Sequence, residues 1–208
     1  GLATLDLPCV TVDREVPDSI PVRVDHRGGA LEATRYLIGL GHRRIALLTG
    51  SAAVLPSTER LAGYRQAHQE AKIEVDPALI RPHMQGANTA FSSVCQLLQM
   101  TKPPTAIISL GTSMLAEVLE AITSNGLRYP QDVSLVCSGD TDLARHATPA
   151  ITALSWDMNE VGRTAARLLL ERIRNADEPG SSEPVFLPTR LILRHSCAAP
   201  AAPARGRK

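Results

Sequence analysis

Arg60 is the residue of this 208-residue chain whose type and position raise the sharpest chemical question. It lies in PSTERLAGYR (56–65), where Pro56 followed by Ser57 and Thr58 predicts a helix starting at Ser57 or Thr58, with Arg60 in the first turn. A cation near the positive end of the helix dipole is disfavoured by roughly 0.3–1 kcal/mol when exposed. Either Glu59 offsets it locally, or the guanidinium is held there to meet an anion or a polar ligand. His146 beside Asp142 in SGDTDLARHATPA suggests acid–base chemistry, but a polar loop more commonly carries a solvated pair. Nothing else supports catalysis. GLGHRR has Arg44 where a dinucleotide fingerprint needs its third glycine, and it runs from a helix into a strand, the reverse of that motif. There is no Walker loop, no G-x-S-x-G elbow and no H-E-x-x-H, and no nucleophile stands beside a positioned base, so the chain reads as a non-enzyme that needs no cofactor or metal.

Composition narrows the partners. Twenty-two Lys and Arg face 21 Asp and Glu, so no net field draws the chain to nucleic acid or to an anionic membrane. Its apolar runs fall short of the roughly 18 residues a membrane span needs, and GLATLDLPCV lacks the basic-then-apolar pattern of a leader, so a cytoplasmic protein is expected. Cys9, Cys95, Cys137 and Cys197 are far apart, without metal-ligand spacing, and read as small apolar side chains. His42 in GHRR reads as a structural residue of a helix-to-strand turn.

The elements that must position these groups alternate. PCVTVD (8–13) and PVRVD (21–25) read as strands, and GGALEATRYLIGLGH as a helix burying Ala30, Ala33, Leu37 and Leu40, with Gly41 closing it. RRIALLTG is a nearly continuous apolar run, as in a strand covered on both faces. Helix 58–71, a strand near 79–83, helix 88–100 with Phe91, Val94, Cys95 and Leu98 inward, strand 105–110, helix 113–124 with Leu115, Val118, Leu119 and Ile122 inward, and strand 132–137 follow. Such alternation predicts a doubly wound parallel sheet with helices on both faces. Beyond a polar loop come strand ITALS, a helix over 158–174 capped by Asp157 and burying Val161, Ala165, Leu168 and Leu169, a connector NADEPGSSEP, and a final strand pair in VFLPTRLILRHS. From Ala198 the Ala/Pro-rich end reads as disordered.

Taken in order, IPVRVDHRGGALEATRYLIGLGHRRIALLTG, STERLAGYRQA, NGLRYPQDVSLVCSGDTD, VGRTAARLLLERI and LPTRLILRHS resemble the effector-binding core of LacI/GalR-type transcriptional regulators over roughly residues 8–197. The resemblance implies a type I periplasmic-binding-protein-like α/β fold: two doubly wound lobes closing over a small molecule. It assigns 1–25 and 155–197 to a first lobe represented in part, 26–154 to a second lobe, and 198–208 to a tail.

Family analogy then names ligand-binding candidates. An arginine at the Arg60 position binds hydroxyls or carboxylate with its planar fork. Asp140 is the carboxylate that remains where the family has Gly-aromatic-Asp-Asp and this chain has Cys137, Ser138, Gly139 and Asp140. Thr112, after Gly111, stands where an Asn-Asp pair is usual. Trp156 offers a flat face for a sugar ring or planar base. Asp13 ends the first strand near the cleft, and Gln85 lies where some members place an aromatic. The loss of two polar anchors tilts the expected ligand from a plain hexose towards a sugar acid or other carboxylated metabolite. The implied function is effector sensing in a homodimeric or tetrameric regulator that meets operator DNA only through a helix-turn-helix absent from this chain, with exposed apolar residues on the helix containing Met114, Leu115 and Val118 as interface candidates. The alternative is a periplasmic solute-binding protein of a sugar transporter.

Overall fold

The computed structural model describes residues 8–51, 53–82, 89–174 and 183–201. Two sheets share the chain. The larger runs β4-β3-β5-β6-β7-β9, where β3 is Ile45–Thr49, β4 Ile80–Pro82, β5 Ala106–Ser109, β6 Ser134–Ser138, β7 Thr152–Ser155 and β9 Arg190–Ile192. Neighbours are parallel up to β7, and β9 closes that edge antiparallel. The smaller sheet is β1-β2-β8, parallel throughout, from Val10–Val12, Ile20–Val24 and Val185–Leu187.

Every residue of β3, β5 and β6 is buried, as their continuous apolar runs require. One face of the large sheet packs on α1 (His26–Gly39) and α2 (Leu55–Glu70), through Ala33, Leu37, Leu47, Tyr64, Ile108 and Leu110. The other packs on α3 (Thr89–Leu98) and α4 (Leu115–Ser124), through Leu48, Val94, Leu97, Ile107, Val118 and Leu135. This is the doubly wound arrangement that the alternation predicts. Gly63 lets α2 approach α1 closely, since a Cβ there would stand 2.2 Å from the Arg27 carbonyl oxygen. In the smaller lobe, α6 (Met158–Arg174) lays Val161, Ala165 and Leu168 on Val10, Val22 and Val24. Asp157 caps α6 by accepting from the amides of Asn159 and Glu160.

Several expectations need correction. Helix α2 starts at Leu55 with Pro56 in its first turn, so Arg60 belongs to the second turn, where the dipole penalty has largely faded. The polar loop holds a short helix, α5 (Asp142–His146), capped by the Thr141 hydroxyl. Within α5, His146 bonds the Asp142 backbone carbonyl and the Asp142 carboxylate bonds Arg145, so the two do not form an acid–base pair. Met114, Leu115 and Val118 are buried in the core and offer no surface to a partner chain.

The final strands do not pair with each other. β8 stays in the small sheet, whereas β9 crosses back to join β7, matching Ala153 with Ile192 and Ser155 with Arg190. Residues from 190 onward therefore belong with the second lobe rather than with a first-lobe segment 155–197. The packed chain also runs past the expected boundary at 198. Gly41, in the left-handed region at φ 102°, closes α1 with His42 behind it, and the Ala198 carbonyl accepts from His42 Nε2 at 2.9 Å while its amide donates to Ser134 Oγ. No helix among the described residues is long and apolar enough to cross a membrane.

Burial pushes the imidazoles of His42 and His68 below their ordinary value of 6.5. Because the unfolded chain then takes up protons first, their contribution to stability is complete above about pH 6.5 and declines as pH falls below it. We expect a melting temperature that is level from about pH 7 to 8 and drops towards about pH 5.5, with a shallower drop in His42→Gln. Equal slopes in thermal melts of the two proteins would contradict the assignment.

Candidate functional site

Three crossings join the lobes: at Asp25 between β2 and α1, at Trp156 and Asp157 between β7 and α6, and at Pro188 and Thr189 between β8 and β9. The sequence folds tightly at the first of them. Asp25 accepts from the Gly28 amide at 2.7 Å to cap α1, and a Cβ on Gly28 would collide with that carboxylate. Gly29 packs with similar closeness on Thr189, which draws the first and third crossings together. The cap places His26, 4% exposed, as the first residue of α1, facing both lobes.

Around His26 the sequence-predicted residues Asp13, Arg60 and Trp156 converge. Asp13 follows β1 in the left-handed region (φ 51°), accepts from the Val24 amide at 3.0 Å, and meets His26 Nε2 at 3.0 Å. Arg60 of α2 donates to the Leu110 carbonyl at 2.7 Å and approaches His26 Nδ1 at 3.2 Å. The Arg60 guanidinium lies 6.0 Å from the Trp156 ring centroid, within cation–π range, and the His26 ring meets Trp156 edge-on at 5.7 Å. A hydrogen-bonded chain thus runs from Asp13 in the small lobe through His26 to Arg60 and Leu110 in the large one. A second link, Arg23 to Glu59 at 3.8 Å, lies beside it, and Arg23 also pairs with Glu15 and sits over the Phe186 ring.

The electrostatics follow from burial. Desolvation lowers the Arg60 guanidinium to about 10, against the opposing pull of Asp13 and Glu59, so it stays charged at neutral pH. Burial raises Asp13, yet the His26 hydrogen bond, the Val24 amide and the Arg60 charge bring it below the usual carboxylate value. Glu59 goes the other way, raised mainly by desolvation. Among the described residues, the Arg60 guanidinium uses two of its five donors.

The remaining candidates lie elsewhere. Asp140 binds Arg194 at 2.6 Å and Arg145 at 3.4 Å, and among the described residues no hydrogen bond or ion pair joins it to the His26 cluster. Thr112 opens a 3-10 turn (Thr112–Met114) after β5, its side chain outside the described residues, and Gln85 lies outside them altogether. Sequence reasoning missed His26, which reads simply as the start of a helix; its place directly after Asp25, a residue type suited to helix capping, was the available signal. It also missed Thr49, Ser109 and Ser138, at the carboxyl ends of β3, β5 and β6, whose hydroxyls are buried and have no hydrogen-bond partner among the described residues. Trp156 also borders a cavity of about 360 Å³ between the second and third crossings, where Leu187, Pro188 and Asp157 form its walls.

Residues 34–197 match the periplasmic binding protein-like domain. The chain belongs to that family. Its relatives are LacI-type transcriptional regulators rather than enzymes. It is 32% identical over 175 residues to the HTH-type transcriptional repressor PurR of Vibrio atlanticus, covering 83% of this chain and 52% of the repressor. The transcriptional regulator CelR in complex with cellobiose superimposes with a TM-score of 0.81 at 32% identity, over 90% of this chain and 58% of CelR. A LacI transcriptional regulator from Bacillus cereus subsp. cytotoxis gives a TM-score of 0.88 at 27% identity, over 95% of this chain and 71% of the regulator. The chain spans about half the length of the curated relatives it matches. The LacI-type effector core that the five motifs resemble is therefore the correct placement, and the transporter alternative is not favoured.

Asp140 in this periplasmic-binding-protein-like core has a packing partner sufficient to explain its position. Removing one member of a partly buried, hydrogen-bonded pair costs about 1–3 kcal/mol. Asp140→Ala should therefore lower the urea midpoint, and adding Arg194→Ala should cost much less than the sum of the two single changes. Additive losses would show that Asp140 and Arg194 act independently.

Proposed function

We propose that this chain is the effector-sensing part of a LacI-type transcriptional regulator and that a sugar, sugar acid or related small metabolite binds at the junction of its lobes, against Arg60, Asp13 and Trp156. The observation that carries the reading is the Arg60 guanidinium: desolvated, charged, and hydrogen-bonded at the carboxyl end of β5, where open α/β sheets take their ligands. A planar donor fork beside an aromatic face suits a ring bearing hydroxyls or a carboxylate. The unpartnered hydroxyls of Thr49, Ser109 and Ser138 supply further polar atoms along the same edge. CelR, whose structure contains cellobiose, supports a carbohydrate class for this chain.

The mechanism is a population shift. Asp13 and Arg60 belong to different lobes, so a ligand that bridges them binds one lobe arrangement more tightly and biases the equilibrium by that difference alone. In the intact regulator, effector and operator affinities are then linked reciprocally. The expected surroundings are cytoplasmic, with a homodimer or tetramer reading operator DNA through a separate helix-turn-helix.

A thermal-shift screen against sugars, sugar acids, polyols and purines tests this. A ligand at about a hundred times its Kd stabilises by roughly 2.7 kcal/mol, which for a chain of this size raises the melting temperature by about 5–10 °C. Arg60→Lys keeps the charge but loses the fork, and should weaken that ligand by about tenfold or more. A ligand that binds both proteins equally would remove Arg60 from the site.

A further inference from the structure

We propose that His26 is the positioning residue of this site: it fixes the Arg60 fork through its unprotonated Nδ1, and it thereby makes the site sensitive to protons. This rests on the reading of Arg60 as the ligand-binding cation. A guanidinium can only donate, so at 3.2 Å from Arg60 the Nδ1 atom must offer a lone pair. The ring proton then resides on Nε2 and is donated to the Asp13 carboxylate at 3.0 Å. Of the three forms of imidazole, only the neutral Nε2–H tautomer satisfies both neighbours.

The surroundings hold the ring in that pose. Asp25 caps the helix turn that carries it, Trp156 packs on its edge, and burial leaves it 4% exposed. The charged groups around it are Asp13 from the loop after β1 and Arg60 from α2, in contact with the ring, and Glu59 of α2, whose own field also takes in Arg23 and Asp25. A second proton, on Nδ1, would point at a guanidinium donor and place two cations in contact at the N-terminus of α1. The Arg60–His26 bond is then lost, and Arg60 keeps only the Leu110 carbonyl and the Trp156 face. Protonation at His26 therefore releases the fork, and it does so at the link between the lobes.

Trp156 makes this measurable without a ligand, because it is the only tryptophan of the chain and an imidazolium quenches a neighbouring indole far more than a neutral imidazole does. Acidification from about pH 8 to about pH 5 should lower the tryptophan emission in one sigmoidal step. His26→Gln, checked for native circular dichroism, should lose that step. In Asp13→Asn the counter-charge to the imidazolium is gone, and the step should move to lower pH. The guanidinium resonances of Arg60, identified by their loss in Arg60→Lys, should be sharp at high pH, broaden with the emission step, and become independent of pH in His26→Gln. A step that survives in His26→Gln, the absence of any step in the unaltered protein, or Arg60 resonances indifferent to the step would each overturn the proposal. Since neither readout uses an effector, a failed ligand screen would count against the binding role of Arg60 while leaving this titration to decide the relay.

Discussion

A desolvated cation that must find acceptors organises the junction of this molecule. The Arg60 guanidinium cannot be left unpartnered away from water, and its fork takes the Leu110 carbonyl and the His26 ring. His26 in turn needs an acceptor for its other nitrogen and finds Asp13, which the φ of 51° at that residue turns towards the helix start. The cluster brings together a loop of the small lobe, a crossing, a helix and a strand end of the large one. That places a charged, partly satisfied donor set where the chain crosses between the two sheets.

The large lobe was legible because its physics is local. Runs such as IALLT and AIIS are too uniformly apolar for a strand with a wet face, and the helical stripes between them leave little choice but a covered parallel sheet. What escaped was non-local. Nothing within VFLPTRLILRHS tells β8 and β9 to part company, because the decision depends on β7 offering an open edge to an antiparallel partner. The tight end of α1 was visible in Gly41, whereas the anchoring of Ala198 by His42, 156 residues away in sequence, was not. The start of α2 was misplaced for a local reason: Val54 caps without a side-chain hydrogen bond, so the usual polar signal stands two to three residues too late.

The candidate cluster was legible in part, through the resemblance rather than through local physics. The resemblance to the family points to Arg60, Asp13 and Trp156, and the fold brings these three together. Asp140 was named on the same grounds, but Arg194, 54 residues away and carried in by the stretch after β9, engages its carboxylate. His26 was passed over because a histidine at a helix start has an ordinary explanation, and only the distances to Asp13 and Arg60 on either side of its ring give it another.

The central claim is that ligand binds where Arg60, His26, Asp13 and Trp156 meet. Titrating a ligand found by calorimetry against the intrinsic fluorescence of the single tryptophan tests it most directly. The account predicts a saturable change in Trp156 emission with the same midpoint as the calorimetric isotherm. Full calorimetric saturation with unchanged emission would place the ligand elsewhere and contradict it.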